Sequence, residues 1–297
     1  MRRELTSPRS TSAGPSPEAA RHEGDMTTTD ATFTQKFRDA AVRNNSLLCV
    51  GLDPDPTKIP AGLTNREFLF GLVDATRDTV CAYKPNIAFF EPDLGEGITL
   101  LRDLIEYIRA TGVPVLLDAK RGDIGHTAEA YARAIYDSLG ADAVTLNPYL
   151  GRDSLEPFLR RADRTAFLLC RTSNPGAVDL QDMQVEGHPL YEHVAYLANQ
   201  WNEHGNVGLV VGATYPAEAA RIREICPDLP FLMPGVGAQA GDVATAVQSA
   251  LDADGAGILV NASRGVMYAP AEDGRWADAS RRAAETLRDQ INAARAR

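Results

Sequence analysis

Cysteine is scarce in this chain: four in 297 residues, at 49, 81, 170 and 226, with no CxxC pair among them. That spacing argues against a structural zinc site. Three of the four lie within or beside apolar strand-like runs, which fits buried, reduced thiols in a cytoplasmic protein. Long hydrophobic runs are missing too, since no stretch approaches the roughly 18 apolar residues of a membrane span. The opening "MRRELTSPRS" is basic but leads into no apolar h-region, so it is not a secretory signal. Basic charge is in deficit, 30 Lys and Arg against 40 Asp and Glu, for a net charge of -10. A general nucleic-acid binder needs basic surface and is excluded on that ground, whereas a small anionic ligand needs only a local cluster of donors. There is no H-E-x-x-H, no Cys/His cluster and no carboxylate triad, so the sequence makes no case for a metal. "GVGAQAG" lacks the G-x-G-x-x-G spacing of a dinucleotide fingerprint. His188, His193 and His204 lie on a polar stretch and read as surface residues, while His126 belongs to a charged loop.

A hydrophobic fraction of 44% is ample for a sizeable core, in one large domain or two small ones. Residues 1 to 28 are rich in Ser, Pro, Ala and charge without an apolar period, and read as a disordered tail before a single domain over 29–297. Met26 opens a stretch that would make a natural beginning, so the preceding segment reads as dispensable or as an upstream start. From residue 47, eight β-rich runs alternate with amphipathic segments such as "GITLLRDLIEYIRATG", whose apolar residues recur at three and four. Parallel strands need crossover helices and are buried on both faces, so this order predicts an α/β fold, the (β/α)8 TIM barrel. A doubly wound open sheet is the structural alternative. The barrel demands functional residues at the C-terminal strand ends, and polar residues collect there: Asp53, Lys84, Asn86, Asp118, Lys120, Asn147, Ser173, Asn174, Gln239 and Arg264.

The densest cluster is "VLLDAKRGDIGHTA", 115 to 128. Residues two apart on a strand share a face, so Asp118 and Lys120 are expected to point together into the barrel. Asp123, past a glycine, belongs to the loop and could turn back to Lys120 or reach a neighbouring subunit. An isolated D-x-K is ordinarily a salt bridge at the barrel mouth. Here Lys84 and Asp53 stand on the two preceding strands, and an alternating Asp/Lys array is a costly way to hold a barrel together because each ion is desolvated. It suits an active site better. The Gly-rich turn "PGVGAQAGD" and Arg264 in "NASRG" follow the last two strands, a common place for phosphate in such barrels. The long loop 172–189 after the fifth strand reads as a lid or binding loop.

These residues resemble the signature of the orotidine 5'-phosphate decarboxylase family. "LLDAKRGDIGHTA" matches at Asp118, Lys120, Asp123, Ile124 and Thr127; "GLDPDP" adds Asp53, "YKPN" Lys84, "TSNPGA" Ser173, "PGVGAQ" Pro234 and Gln239, and "SRG" Arg264. The likeness runs from about residue 33 nearly to the end, and its form is that of the longer bacterial branch. It implies a homodimeric barrel without metal or cofactor that converts orotidine 5'-phosphate (OMP) to UMP and carbon dioxide, the last step of de novo pyrimidine nucleotide synthesis. By the same resemblance Lys120 would stabilise and protonate the C6 carbanion. Asp118 would lie near the substrate carboxylate, and Asp123, Ile124 and Thr127 would come from the partner subunit. Lys84 and Asp53 would hold the ribose, Ser173 would read the pyrimidine, and Gln239 and Arg264 would grip the phosphate, with Pro234 also lining the site. Ser263 departs from the glycine that many relatives carry. Two other readings stand beside this one: a magnesium-dependent sugar-phosphate decarboxylase or aldolase sharing D-x-K-x-x-D, and a nucleotide-binding barrel without catalysis.

Overall fold

The computed structural model describes residues 31–236, 240–272 and 274–296. The proposed tail and Gln239 lie outside the described residues. Thr32 caps the first helix with a capping box, its side chain accepting from the Gln35 N–H while the Gln35 side chain accepts from the Thr32 N–H. The helix it opens, α1 (Phe33–Arg43), precedes the first strand.

Eight parallel strands form the barrel: β1 (Leu48–Leu52), β2 (Ala82–Pro85), β3 (Leu116–Arg121), β4 (Ala143–Leu146), β5 (Thr165–Arg171), β8 (Val207–Val211), β9 (Phe231–Pro234) and β10 (Ile258–Ala262). Their order around the sheet is β2-β1-β10-β9-β8-β5-β4-β3, and bridges at Tyr83–Val115 and Asn86–Asp118 join β2 to β3. The sequences of β1 and β8, "LCVGL" and "VGLVV", are buried throughout, as strands covered on both faces must be. The cover is α2 (Asn65–Thr76), α3 (Leu94–Ala110), α4 (Gly125–Arg133), α5 (Arg152–Leu159), α6 (Leu190–Trp201), α7 (Pro216–Ile225), α8 (Ala240–Ala250) and α10 (Trp276–Arg295), with the short α9 (Arg264–Met267) before the last. The (β/α)8 barrel predicted from the sequence is the fold, and all four cysteines are buried and free. Among the described residues no helix is long and apolar enough to cross a membrane.

Two features hold the two ends of the barrel. At the N-terminal end, Asp142 is buried just before β4 and accepts from Lys36 of α1 (2.8 Å), from the Val115 N–H (2.9 Å) and from Arg164 (3.5 Å), with Arg109 at 3.7 Å. Phe33 of α1 meets Phe167 of β5 edge-on at 5.6 Å, so α1 is fixed to the strand starts by charge and by apolar contact.

At the C-terminal end, the loop 172–189 is built rather than slack. It contains a 3-10 turn over Pro175–Asp179 and a small hairpin of β6 (Gln184–Val185) and β7 (His188–Pro189). Its root is Arg171, a buried guanidinium over the Tyr215 ring at 4.0 Å that also donates to Gln181 Oε1. Gln181 Oε1 accepts from the Thr172 N–H as well, tying the start of the loop to its middle. The sequence showed a long loop here but not its internal fold, because the anchor is an arginine at the end of an apolar strand whose partners lie 10 or more residues away.

Candidate active site

The C-terminal mouth gathers Asp53 from β1's end, Lys84 from β2, and Asp118 and Lys120 from β3. Asp118 is at the centre. Its Oδ1 accepts from Lys120 Nζ (2.5 Å) and from Thr145 Oγ1 (2.9 Å), and its Oδ2 accepts from Lys84 Nζ (3.2 Å). Burial alone would raise this carboxyl, but the Lys84 and Lys120 ammoniums and the hydrogen bonds from Lys120 and Thr145 outweigh it and hold Asp118 below its ordinary value. For Lys84, burial works against the charge; Asp118 and Asp53 prevail and hold it above its ordinary value. Both groups are charged at neutral pH. Cys49 lies beneath them, its thiol pushed up to about 12 by burial and therefore neutral.

The expected alternation fails at Lys120. Asp118 is buried, but Lys120 is half exposed and sits at a φ of +44°, in the left-handed region. The cause is a bulge: β3 and β4 pair at Leu117–Val144 and again at Arg121–Leu146, so Asp118, Ala119 and Lys120 face Thr145 alone. Lys120 therefore reaches Asp118 by a backbone reversal rather than by strand period, at a cost on the order of 1–2 kcal/mol for a residue with a Cβ. The remaining charges of the cluster separate from the array. Arg121 donates to Glu91 Oε1 (2.7 Å) and to the Ala119 carbonyl (3.2 Å), bracing the bulge. Asp123 is half-buried and its Oδ1 accepts from the Ile124 N–H; among the described residues no ion pair joins it to Lys120 within the chain. Ile124, just before α4, and Thr127, in its first turn, are exposed.

On the β1, β9 and β10 side a cavity of about 930 Å³ opens, lined by Asp53, Lys58, Gly235, Asn261 and Arg264. Asp53 Oδ1 and Asn261 Oδ1 are buried acceptors that find no donor among the described residues, and a ligand's hydroxyls would satisfy them. The Asp53 backbone is clamped by Tyr268, whose hydroxyl donates to the Asp53 carbonyl and accepts from the Asp55 N–H. Arg264 opens α9 with its side chain exposed toward this cavity. Ser263 is accommodated because β1 carries Gly51 opposite it, where a Cβ would stand 1.9 Å from Ser263 Oγ. Ser173 packs on Gly212 at the end of β8, where a Cβ would come within 3.0 Å of its own. Pro234 ends β9 at the same mouth, half-buried. Asn86 and Asn147, also at strand ends, cap the 3-10 turns that follow, accepting from the Ala88 and Tyr149 N–H groups.

Sequence reasoning missed Thr145, Asn261 and Arg171. A lone hydroxyl in "AVTL" was the one available sign of Thr145, and threonine is too common in strands for that to stand out. Among the described residues no group of three metal-ligating side chains gathers. The carboxylates at the mouth are instead interleaved with ammonium groups.

Comparison with known proteins adds independent observations. The model of the "Orotidine 5'-phosphate decarboxylase / HUMPS family" matches residues 46–278. An orotidine 5'-phosphate decarboxylase of Roseiflexus castenholzii is 54% identical over 269 residues, covering 88% of this chain and 98% of that protein. One from Ralstonia pickettii is 51% identical over 268 residues, with the same coverage of both, 88% and 98%. The solved structure of Leishmania donovani OMP decarboxylase superposes with a TM-score of 0.80 at 44% identity, covering 90% of this chain and 99% of that one. A match of this extent, on a barrel whose mouth holds the Asp/Lys array, places the chain in the orotidine 5'-phosphate decarboxylase / HUMPS family.

Proposed function

We propose that this protein decarboxylates OMP to UMP in pyrimidine nucleotide synthesis, with Lys120 as the acid and neither metal nor cofactor taking part. The observation that carries the reading is the convergence of Lys84 and Lys120 on the single buried carboxylate of Asp118. When the bond from C6 to the carboxylate breaks, its electron pair stays on a ring carbon with no neighbouring sink. A fixed ammonium stabilises that charge as it develops and then supplies the proton, leaving a neutral amine that solvent reprotonates. Lys120 suits this role because it is half exposed at the mouth while Asp118 fixes its Nζ. Asp118 would stand near the substrate carboxylate as well as positioning the lysine. The orphan oxygen of Asp53, with Lys84, would take the ribose hydroxyls; Ser173 and Pro234 would meet the pyrimidine, and Arg264 with Gln239 the phosphate. Binding at the phosphate, far from C6, would supply energy that helps assemble the closed site.

The active unit in this reading is a homodimer whose sites are shared. Asp123, Ile124 and Thr127 have no role in the array of their own chain, and apolar side chains crowd the same end of the molecule. Ile124 is 57% and Tyr149 77% exposed, with Phe89, Leu150, Leu180 and Met183 exposed on the loops after β2, β4 and β5. Exposed apolar side chains on neighbouring loops at one end of a barrel fit a partner surface. Asp123 and Ile124 of one chain would then enter the mouth of the other.

The test is the ultraviolet absorbance change of OMP on adding the protein with excess EDTA, beside a Lys120→Ala control. The expected result is turnover to UMP that survives EDTA, with a loss of about 10⁴-fold or more in the variant, the combined scale of a proton donor and an electrostatic stabiliser. Turnover of a sugar phosphate that EDTA abolishes would assign the magnesium-dependent chemistry instead. UMP binding without turnover would leave a binding barrel.

A further inference from the structure

We propose that Thr145 is a positioning residue for the decarboxylation, holding both the backbone of Lys120 and the carboxylate of Asp118 through one hydroxyl. The inference rests on the role given to Lys120 above. Three residues of β3 face one residue of β4 across the bulge, so the ladder leaves the Ala119 and Lys120 N–H groups without carbonyl partners. Both donate instead to Thr145 Oγ1, at 3.0 and 2.9 Å. The same hydroxyl gives its proton to Asp118 Oδ1 at 2.9 Å. Thr145 is 1% exposed and does not line the 930 Å³ cavity. It accepts twice and donates once, using the full capacity of a hydroxyl.

This wiring couples two things that the chemistry needs together. The left-handed backbone at Lys120 is strained and persists only where its surroundings over-determine it. The N–H of that residue is held by Thr145, and its ammonium is held by the carboxylate oxygen to which Thr145 donates. Removing the hydroxyl takes the acceptor from two N–H groups, one buried and one partly buried, and withdraws a donor from Asp118. Lys120 is then free to relax toward extended backbone, which carries its Nζ away from the mouth. The charged groups that face Asp118 are Lys84 from β2 and Lys120 from its own strand, while Asp53 and Cys49 act in turn on Lys84.

Thr145→Val keeps the shape and removes the hydroxyl; Thr145→Ser keeps the hydroxyl and removes the methyl. In the OMP assay Thr145→Val is expected to lower kcat by about a hundredfold, the cost of misplacing a reacting group by ~1 Å, with KM within about threefold of wild type. Its acid limb should move to higher pH, because one of the donors that holds Asp118 down is gone. Thr145→Ser should return both properties to near wild type. A merely structural role would lower the melting temperature without moving the pH limb or splitting kcat from KM. Hydrogen exchange at the amides of Ala119 and Lys120 provides a readout independent of turnover: it should quicken in Thr145→Val and not in Thr145→Ser. If Thr145→Val does not fold, Thr145→Ala serves in its place. Wild-type turnover with an unaltered kcat in the variant, or exchange unaltered at both amides, overturns the proposal. An inactive wild type with exchange that quickens as described counts against OMP as the substrate while supporting the hydroxyl's hold on the bulge.

Discussion

Asp118 receives three donors on two oxygens, and its charge is what makes the buried Lys84 tolerable. The sign of its pH dependence follows. Its carboxyl lies below the ordinary 3.8, so the stability it contributes is fully present above that value and is lost as pH falls through the lowered one. Lys84 lies above the ordinary 10.5, so its contribution is fully present below 10.5 and is lost as pH rises through the raised value. Between these limits the array neither gains nor loses protons at these two groups. Asp118→Asn should therefore cost about 3 kcal/mol by chemical denaturation at neutral pH, since it leaves a buried ammonium without its carboxylate. That difference should shrink below pH 3.8, as the wild-type carboxyl itself becomes neutral. A difference independent of pH would mean that shape rather than charge sets the cost.

Among the elements, α1 and the bulge of β3 show where the sequence could and could not be read. The helix lies under the barrel, away from the proposed chemistry, held by Lys36 and Phe33. Asp142→Asn should lower stability by about 2 kcal/mol, less than for a fully buried pair because Lys36 and Arg109 reach solvent. Thermal unfolding should fall by several degrees while kcat for OMP stays unchanged, and a large loss of kcat would show that the two ends of the barrel are coupled. The alternation of strands and helices was legible because burial on both faces leaves apolar runs, and crossover helices leave a period near 3.6. The strand-end position of Asp53, Lys84 and Asp118 followed from that order alone. The bulge was not legible, because it depends on Thr145 across the strand gap and reverses the backbone at a lysine, which no local propensity favours. The same holds for the loop after β5, whose form depends on Arg171 and Tyr215.

In the whole molecule, the array within one chain is incomplete in the proposed reading: Ile124 is exposed, and among the described residues the Asp123 carboxylate accepts from the Ile124 N–H rather than pairing with either lysine of the array. The central claim, a decarboxylase whose site needs Lys120 from one chain and Asp123 from another, is tested most directly by mixing two inactive variants. Lys120→Ala and Asp123→Ala each lack one half of the site, and a mixed dimer contains one site with both halves intact. After random subunit exchange about half of the dimers are mixed, and each has one working site of two, so about a quarter of wild-type turnover of OMP should return. Continued inactivity, with exchange of subunits demonstrated, would contradict the shared site; recovery to about a quarter is the result the account predicts.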